Sequence, residues 1–267
     1  MLEIFQYDFF FNAFLAALLA SFACGIVGTF VVVRKVVFIS GGIAHTAYGG
    51  IGLGYLMGIN PLIGAFAFST AAAYFISAMR RKNSSNEDTL IGILWAVGMA
   101  LGIVFISLTP GYTPNLMSYL FGDILTVPFD DILIMIAADI IIAAVVFFNL
   151  DKFIAITFDE EYSRTLGLPV DRLYFLLYVL IALTTVILIK LVGIILVIAL
   201  LTIPPTISIK FTKSIKSMML FSILLGILFS FLGLLLSYYL NLASGASIIL
   251  VGAAGYILSV ILTGNKN

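Results

Sequence analysis

The stretch that decides the fold runs from Val37 to Gly58 and reads VFISGGIAHTAYGGIGLGYLMG. It is strongly apolar and, as a helix, long enough to cross a bilayer, which takes about 20 residues. His45, the sole histidine of the chain, lies inside this stretch. Hydrocarbon offers an imidazole no hydrogen-bond partner, so we expect His45 to face the protein interior or a water-accessible path.

The composition of the rest of the chain excludes an ordinary soluble domain. The 267 residues are 63% hydrophobic and 10% charged, with a mean hydropathy of +1.23. Soluble domains average about 45–50% apolar and about 25% charged residues. Because apolar windows of about 20 residues recur along the whole length, we predict an all-α integral membrane protein, with residues 1–267 forming one transmembrane domain.

The hydropathy pattern predicts about nine membrane-spanning helices, and eight if the first segment lies along the interface or the tight turn at Lys190 is misassigned. All Lys and Arg residues except Lys190 fall in alternate loops or at the C terminus. The positive-inside rule then places the N terminus outside and the C terminus in the cytoplasm. Arg80 and the basic residues after it are read as topology signals in a solvated loop. The predicted spans are 9–33, 37–58, 61–79, 89–108, 129–149, 172–189, 191–209, 217–240 and 245–263.

The first long connection, at about 109–129, lies on the outside. Pro114 suits the first turn of a helix and Gly122 its end, which predicts a short helix at about 115–121. Asp123 follows directly, where a carboxylate near the outer face attracts cations. The connection is either a gate over the outer mouth or a solvated loop with an ordinary turn.

The second long connection is cytoplasmic and encodes a separate short helix at about 159–167. Asp159 is a good N-cap, Gly167 suits the left-handed conformation that follows a last turn, and Pro169 prevents continuation. A helix of this length is marginal in water by itself, so it must pack against another surface.

Four residues of this short helix bear on its role. Glu160 and Glu161 complement the positive charge at its N-terminal end. Tyr162 and Leu166 lie four residues apart and therefore share one face. The helix either packs on the ends of this chain's own helices or docks on a cytoplasmic partner through that face.

The second span contains a face of small residues around its imidazole. At helical spacing, Gly42, His45, Gly49 and Gly52 lie on one side of the helix. Such a face either lines a path for a cation or packs closely on another helix, the usual role of small residues in membranes. A neutral imidazole nitrogen suits zinc and is acceptable to manganese or iron.

Two further features lie inside predicted spans. Asp139 is about ten residues into the fifth span, where an ionised carboxylate is costly. It is either a second ligand or coupling position, or a structural hydrogen-bonding group. Pro204 and Pro205 are expected to kink or end the seventh span and to shape a cytoplasmic gate.

Six stretches, taken in order, resemble the permease subunits of bacterial ABC importers for zinc, manganese or iron, the ZnuB/TroC type. Ala44 departs from the usual Ser before the histidine, and Ala243 from the usual Pro before Ser-Gly-Ala. The stretches are GTFVVVR at 28–34, GxxxH at 41–45, LFGDIL at 120–125, FDEEYSRTLG at 158–167, VGIILV at 192–197 leading to LLTIPP at 200–205, and SGA at 244–246.

This resemblance implies a fold similar to that of the vitamin B12 importer permease and a homodimer in the bacterial cytoplasmic membrane, with ions carried at the dimer axis. It also implies two copies of a cytoplasmic ATPase that contact the 159–167 helix, and an extracellular or periplasmic metal-binding protein. Ser244 and Gly245 join Pro204 and Pro205 as gate candidates. The transported ion would be Zn²⁺, Mn²⁺ or Fe²⁺, with no permanently bound cofactor and no nucleic-acid partner.

The residues also limit how such transport is driven. The sequence has no GxxxxGK[S/T] loop, so ATP hydrolysis would belong to another chain and this subunit would not be an enzyme. We therefore predict the permease subunit of an ATP-driven importer of divalent transition metals. The alternative is a secondary metal transporter that couples to protons through Asp139.

Overall fold

The computed structural model describes residues 8–82, 87–111 and 117–264, and these are helical almost throughout, with no strand among them. The predicted all-α architecture is therefore confirmed. In chain order the helices are α1 (Asp8–Val33), α2 (Val37–Met57), α3 (Pro61–Lys82), α4 (Glu87–Leu108), α5 (Met117–Phe121), α6 (Phe129–Phe148), α7 (Leu150–Phe158), α8 (Glu160–Thr165), α9 (Val170–Phe211), α10 (Ile215–Leu240) and α11 (Ser244–Thr263).

Seven helices of the described chain are long and apolar enough to cross a membrane, namely α1, α3, α4, α6, α9, α10 and α11. The 21-residue helix α2 is not among them, because glycines and His45 lower its apolar character. The 42 residues of α9 would extend for about 63 Å at 1.5 Å per residue, roughly twice the thickness of the hydrocarbon core. The nine-span topology remains a prediction. It exceeds the seven candidate helices by two because it counts α2 as a span and divides α9 into two spans.

Helix α9 is interrupted at Gly193, where φ is 79° and ψ is 156°. The predicted division at Lys190 is therefore corrected by three residues. The backbone conformation of Gly193 is essentially restricted to glycine, whereas Lys190 has a helical backbone. Pro204 and Pro205 do not end the helix, which continues to Phe211. Membrane helices tolerate proline where other groups satisfy the freed backbone.

Contacts divide the chain into two compact units, each assembled from segments that are distant in sequence. The first unit consists of Met1–Lys35, Met117–Val145 and Leu188–Asn267, and the second consists of Val36–Leu116 and Val146–Ile187. Neither unit is a contiguous domain, so hydropathy alone does not reveal the division.

In the first unit, α10 packs against both α1 and α11. Small residues allow the helix axes to approach closely. A Cβ added at Gly226 of α10 would lie 3.0 Å from the Cβ of Ser21 in α1. The hydroxyl of Ser21 also lies 3.4 Å from that of Ser230, so this interface combines close packing with a polar contact.

In the second unit, α2 is enclosed by α3 and α4. Most of α2 from Ile39 to Gly54 is buried. A Cβ added at Gly54 would lie 2.7 Å from the Cα of Pro61, the first residue of α3. The glycine-rich sequence of α2 therefore folds as the central helix of this unit.

Candidate functional site

His45 lies in the centre of the second unit and stacks on Trp95 of α4. The two ring centroids are 4.0 Å apart and the ring planes differ by 14°. The imidazole is buried, and its Nδ1 atom has no hydrogen-bond partner among the described residues. One turn earlier, a Cβ added at Gly41 would lie 3.1 Å from the same indole ring. Since a buried polar nitrogen is normally hydrogen-bonded, this unpaired atom is unusual. A role for it as an ion ligand remains a prediction.

The glycines that share the face of His45 pack against α4 in the described chain. An added Cβ at each of them would lie within 2.8 Å of an atom of α4, at Ile91 for Gly42, at Gly98 for Gly49 and at Gly102 for Gly52. This is the close helix packing that the sequence left open as an alternative. A place for these glycines on an ion path remains a prediction.

Asp139 is buried within α6, and its Oδ2 atom has no hydrogen-bond partner within the part of the chain that the structure describes. Asp139 belongs to the first unit and His45 to the second. Among the described residues, no three His, Cys, Asp or Glu side chains form a group that could hold a metal.

Three glycines of the first unit meet where α5 ends, where α9 is interrupted and where α11 begins. We call Gly122, Gly193 and Gly245 the glycine junction. A Cβ added at Gly193 would lie 2.7 Å from the carbonyl oxygen of Leu120, and one added at Gly245 would lie 3.1 Å from that of Phe121. Gly122 has φ of 65° and faces the backbone of residues 192 and 193. Three of the six stretches that carry the resemblance therefore meet in one place.

Two predicted residues flank the glycine junction. Asp123 accepts a hydrogen bond from the backbone N–H of Leu125 at 3.1 Å, and so caps a single 3₁₀ turn at Ile124–Thr126. Ser244 is buried at the start of α11. Of the predicted helix at about 115–121, the structure describes Met117–Phe121, and residues 112–116 lie outside the described part.

Lys190 forms an ion pair that the sequence did not predict. Its Nζ atom donates to the Asp131 carboxylate at 2.7 Å, and the Asp131 side chain is largely buried at the start of α6. The signal was present, because Lys190 is the one basic residue outside the positive-inside pattern. A charge placed against that pattern within apolar surroundings needs a counter-charge.

Pro205 lies beside α1. Pro205 has no N–H to donate to the carbonyl of Leu201, four residues earlier. A Cβ added at Gly28 would lie 3.0 Å from Pro205 Cγ and would also overlap the Leu201 carbonyl group. The stretches at 28–34 and 200–205 are therefore in direct contact inside the first unit.

Helix α8 corresponds to the short helix predicted at about 159–167. The Asp159 carboxylate accepts a hydrogen bond from the backbone N–H of Tyr162 at 2.8 Å, and Gly167 has a φ of 75°. Three exposed apolar side chains at and beside α8, which we call the exposed α8 face, are Phe158 at the end of α7, Tyr162 in α8 and Leu166 at its C-cap. Tyr162 is 59% exposed. Glu161 is exposed as well. Large apolar side chains that are exposed together are typical of an interaction surface.

A chain of charges attaches α8 to two long helices. Glu160 forms ion pairs with Arg80 of α3 and with Arg164, the latter at 3.0 Å. Arg164 also pairs with Asp171 of α9 at 2.7 Å. The hydrogen bonds to Asp171 and Glu160 raise the pKa of Arg164. Arg80 lies within α3 and is part of this network, which corrects its placement in a solvated loop. Its role as a topology signal remains a prediction.

Known proteins resemble the chain over nearly its whole length. It is 49% identical over 260 residues to an uncharacterized membrane protein of Synechocystis sp., covering 97% of this chain and 92% of that protein. It is 32% identical over 256 residues to the manganese transport system membrane protein MntC of Listeria monocytogenes, covering 96% and 91%.

The solved structure of PsaBC from Streptococcus pneumoniae in complex with Fab shares the fold. The TM-score is 0.88 at 31% sequence identity, covering 100% of this chain and 98% of that one. The resemblance to ABC permeases noted in the sequence is thereby confirmed. Since residues 6–263 match the family described as the ABC 3 transport family, this chain belongs to that family of membrane proteins.

Proposed function

We propose that this chain is the permease subunit of an ATP-driven ABC importer of divalent transition metal ions in a bacterial cytoplasmic membrane. The observation that carries the proposal is its similarity, over nearly the full length of both chains, to a protein named as a manganese transport system membrane protein. Mn²⁺ is accordingly the foremost cargo, with Zn²⁺ and Fe²⁺ as the other candidates, since imidazole and carboxylate groups serve all three.

The features of helix α8 favour a cytoplasmic ATPase as the partner. A permease homodimer would bind two copies of that ATPase. The exposed α8 face offers aromatic and aliphatic side chains, which are favoured at the centres of protein interfaces. The cap at Asp159 and the ion pairs of Glu160 keep the helix ordered without a partner. When the ATPases close on ATP, their movement would displace α8 and change which side of the membrane the permease opens to.

The cargo is a transient ligand in this proposal. His45 would replace part of the hydration shell of the ion, with one imidazole from each subunit at the dimer axis. Permeation needs sites that bind strongly enough to admit an ion and weakly enough to release it. One neutral imidazole per subunit satisfies both conditions better than a closed cluster of three or four ligands. An extracellular metal-binding protein would supply the ion and most of the selectivity.

The remaining predicted residues would have secondary roles along the proposed ion path. Asp123, beside the glycine junction, would attract cations at the outer mouth. Ser244 and Gly245 at that junction, and Pro204 and Pro205 in α9, are the gate candidates. Asp139, a carboxylate buried in α6, would serve as a second ligand or as a coupling group.

Reconstitution of the permease with its ATPase in liposomes tests the proposal. We expect Mn²⁺ uptake that requires ATP, competition by Zn²⁺ and Fe²⁺, and little competition by Mg²⁺. Uptake that needs no ATP, follows a proton gradient and is abolished by Asp139→Asn would establish the secondary transporter instead.

Variants of the exposed α8 face test the docking role separately. Tyr162→Ala should lower Mn²⁺ uptake per ATP hydrolysed, and Leu166→Ala should act in the same direction. Tyr239→Ala is the matched control, because this tyrosine of α10 is 60% exposed, as against 59% for Tyr162, but lies in the first unit. Normal coupling in both α8 variants would remove α8 as the contact.

A further inference from the structure

Arg80 of α3 lies where α3, α8 and α9 meet in the second unit. Its guanidinium forms an ion pair with Glu160 at the start of α8. The guanidinium carbon also lies 3.4 Å from the ring centroid of Tyr174 in α9. One side chain of α3 therefore contacts the helix that would meet the ATPase and a buried aromatic ring at the same time.

The ring under Arg80 is itself fixed. Tyr174 is buried, and its hydroxyl donates a hydrogen bond to the carbonyl oxygen of Ile156 in α7 at 2.7 Å. A cation over an aromatic face is stabilised most where water is excluded. Arg80 is thus held from one side by a rigid aromatic platform and from the other by the carboxylate of α8.

The second ion pair between α8 and a long helix is more exposed. The side chains of Arg164 and Asp171 are 46% and 40% exposed, whereas that of Arg80 is 16% exposed. Exposed ion pairs are screened and contribute little to stability. The contact through Arg80 is therefore the firmer of these two attachments.

Helix α3 connects Arg80 to α2, the helix that contains His45. The backbones of Gly64 in α3 and Gly50 in α2 are in direct contact, with no side chain between them. Nearer the middle of α3, the hydroxyl of Ser69 donates to the carbonyl oxygen of Ile43 at 3.4 Å. Ile43 lies two residues before His45. Because closely packed interiors transmit displacement, a movement of the Arg80 end of α3 reaches this part of α2.

We propose that Arg80 is the positioning residue that transmits movement of α8 to α3 and so to the α2 backbone around His45. This inference rests on the proposed function. All the contacts involved lie within the second unit. Arginine suits the role because its planar guanidinium stacks on a ring and pairs with a carboxylate simultaneously, which the ammonium group of lysine does less well.

The test measures Mn²⁺ uptake and ATP hydrolysis in the same liposomes that contain the permease and its ATPase. Arg80→Gln should lower the number of ions taken up per ATP by about tenfold, within the usual range of coupling between sites. Arg80→Lys should recover part of that ratio.

Lys210→Gln is the matched control. Lys210 of α9 also lies over a tyrosine, with its Nζ 4.7 Å from the ring centroid of Tyr256, and donates to Ser259, but it belongs to the first unit. Its replacement should change the ratio less than twofold. Thermal unfolding of each purified permease shows whether the Arg80 variants are folded.

The outcomes separate this inference from the proposed function. Wild-type liposomes that fail to take up Mn²⁺ with ATP would overturn the proposed function and this inference with it. If the wild type transports and a folded Arg80→Gln variant keeps the wild-type ratio, the transmitting role is refuted while the proposed function stands. An equal fall in the number of ions taken up per ATP in Lys210→Gln would also refute the transmitting role of Arg80. The effect would then not be specific to the attachment of α8.

Discussion

Replacing Gly193 by alanine should destabilise the protein strongly, for two reasons that the structure makes quantitative. The backbone at Gly193 has φ of 79° and ψ of 156°, and a residue with a side chain in such a region costs about 1–3 kcal/mol. The added Cβ would also lie 2.7 Å from the Leu120 carbonyl oxygen and 2.5 Å from the Gly122 nitrogen. Overpacking of this kind costs about 1–3 kcal/mol more. We expect a total loss of about 2–5 kcal/mol after a small gain from restricting the unfolded chain.

Thermal unfolding of the purified permease, followed by fluorescence in detergent, measures this loss. At about 2–4 °C per kcal/mol for a chain of this size, Gly193→Ala should lower Tm by roughly 4–20 °C. Gly92→Ala is the matched control, because Gly92 lies in α4 with no atom within 4 Å of its added Cβ. That change should raise stability slightly through helix propensity. Equal Tm values for Gly193→Ala and the wild type would refute the role assigned to the glycine junction.

Two further predictions concern single side chains. His45→Ala should leave the protein folded and lower Mn²⁺ uptake, measured by metal analysis of liposomes, and uptake equal to that of the wild type would count against the ligand role. Lys190→Gln should lower the free energy of unfolding by about 1.5–3 kcal/mol, the scale of hydrogen bonds to charged groups, because it leaves the buried Asp131 carboxylate without its cation. Adding Asp131→Asn should recover part of the loss, and no recovery would contradict the pairing.

Local patterns in the sequence predicted much of the helical structure. The hydropathy of the long segments predicted an all-helical protein because helices satisfy their own backbone groups in hydrocarbon. Asp159 and Gly167 bracket α8 because capping depends on one or two residues and their immediate neighbours. The division of α9 was misplaced at Lys190 because charge suggested the turn, whereas backbone conformation placed the interruption at Gly193.

The contacts between these helices could not be read in the same way. Trp95, the only tryptophan of the chain, looked like any aromatic residue of an apolar helix, and its stacking on His45 depends on how α2 and α4 pack. Gly122, Gly193 and Gly245 stood in separate stretches whose order gave no sign of contact. Arg80 resembled the basic residues beside it, and its role depends on where Glu160 lies in the folded chain.

The enclosure of α2 bears on how the protein enters the bilayer during synthesis. A segment that is less apolar than its neighbours is weakly retained by lipid when it leaves the ribosome and reaches the insertion machinery. Its glycine surfaces gain contacts only when α3 and α4, which are translated later, arrive beside it. Stable integration of α2 is therefore expected to await those two helices, and a substitution at the Gly50 and Gly64 contact would lower the yield of correctly inserted chains before any ion is carried.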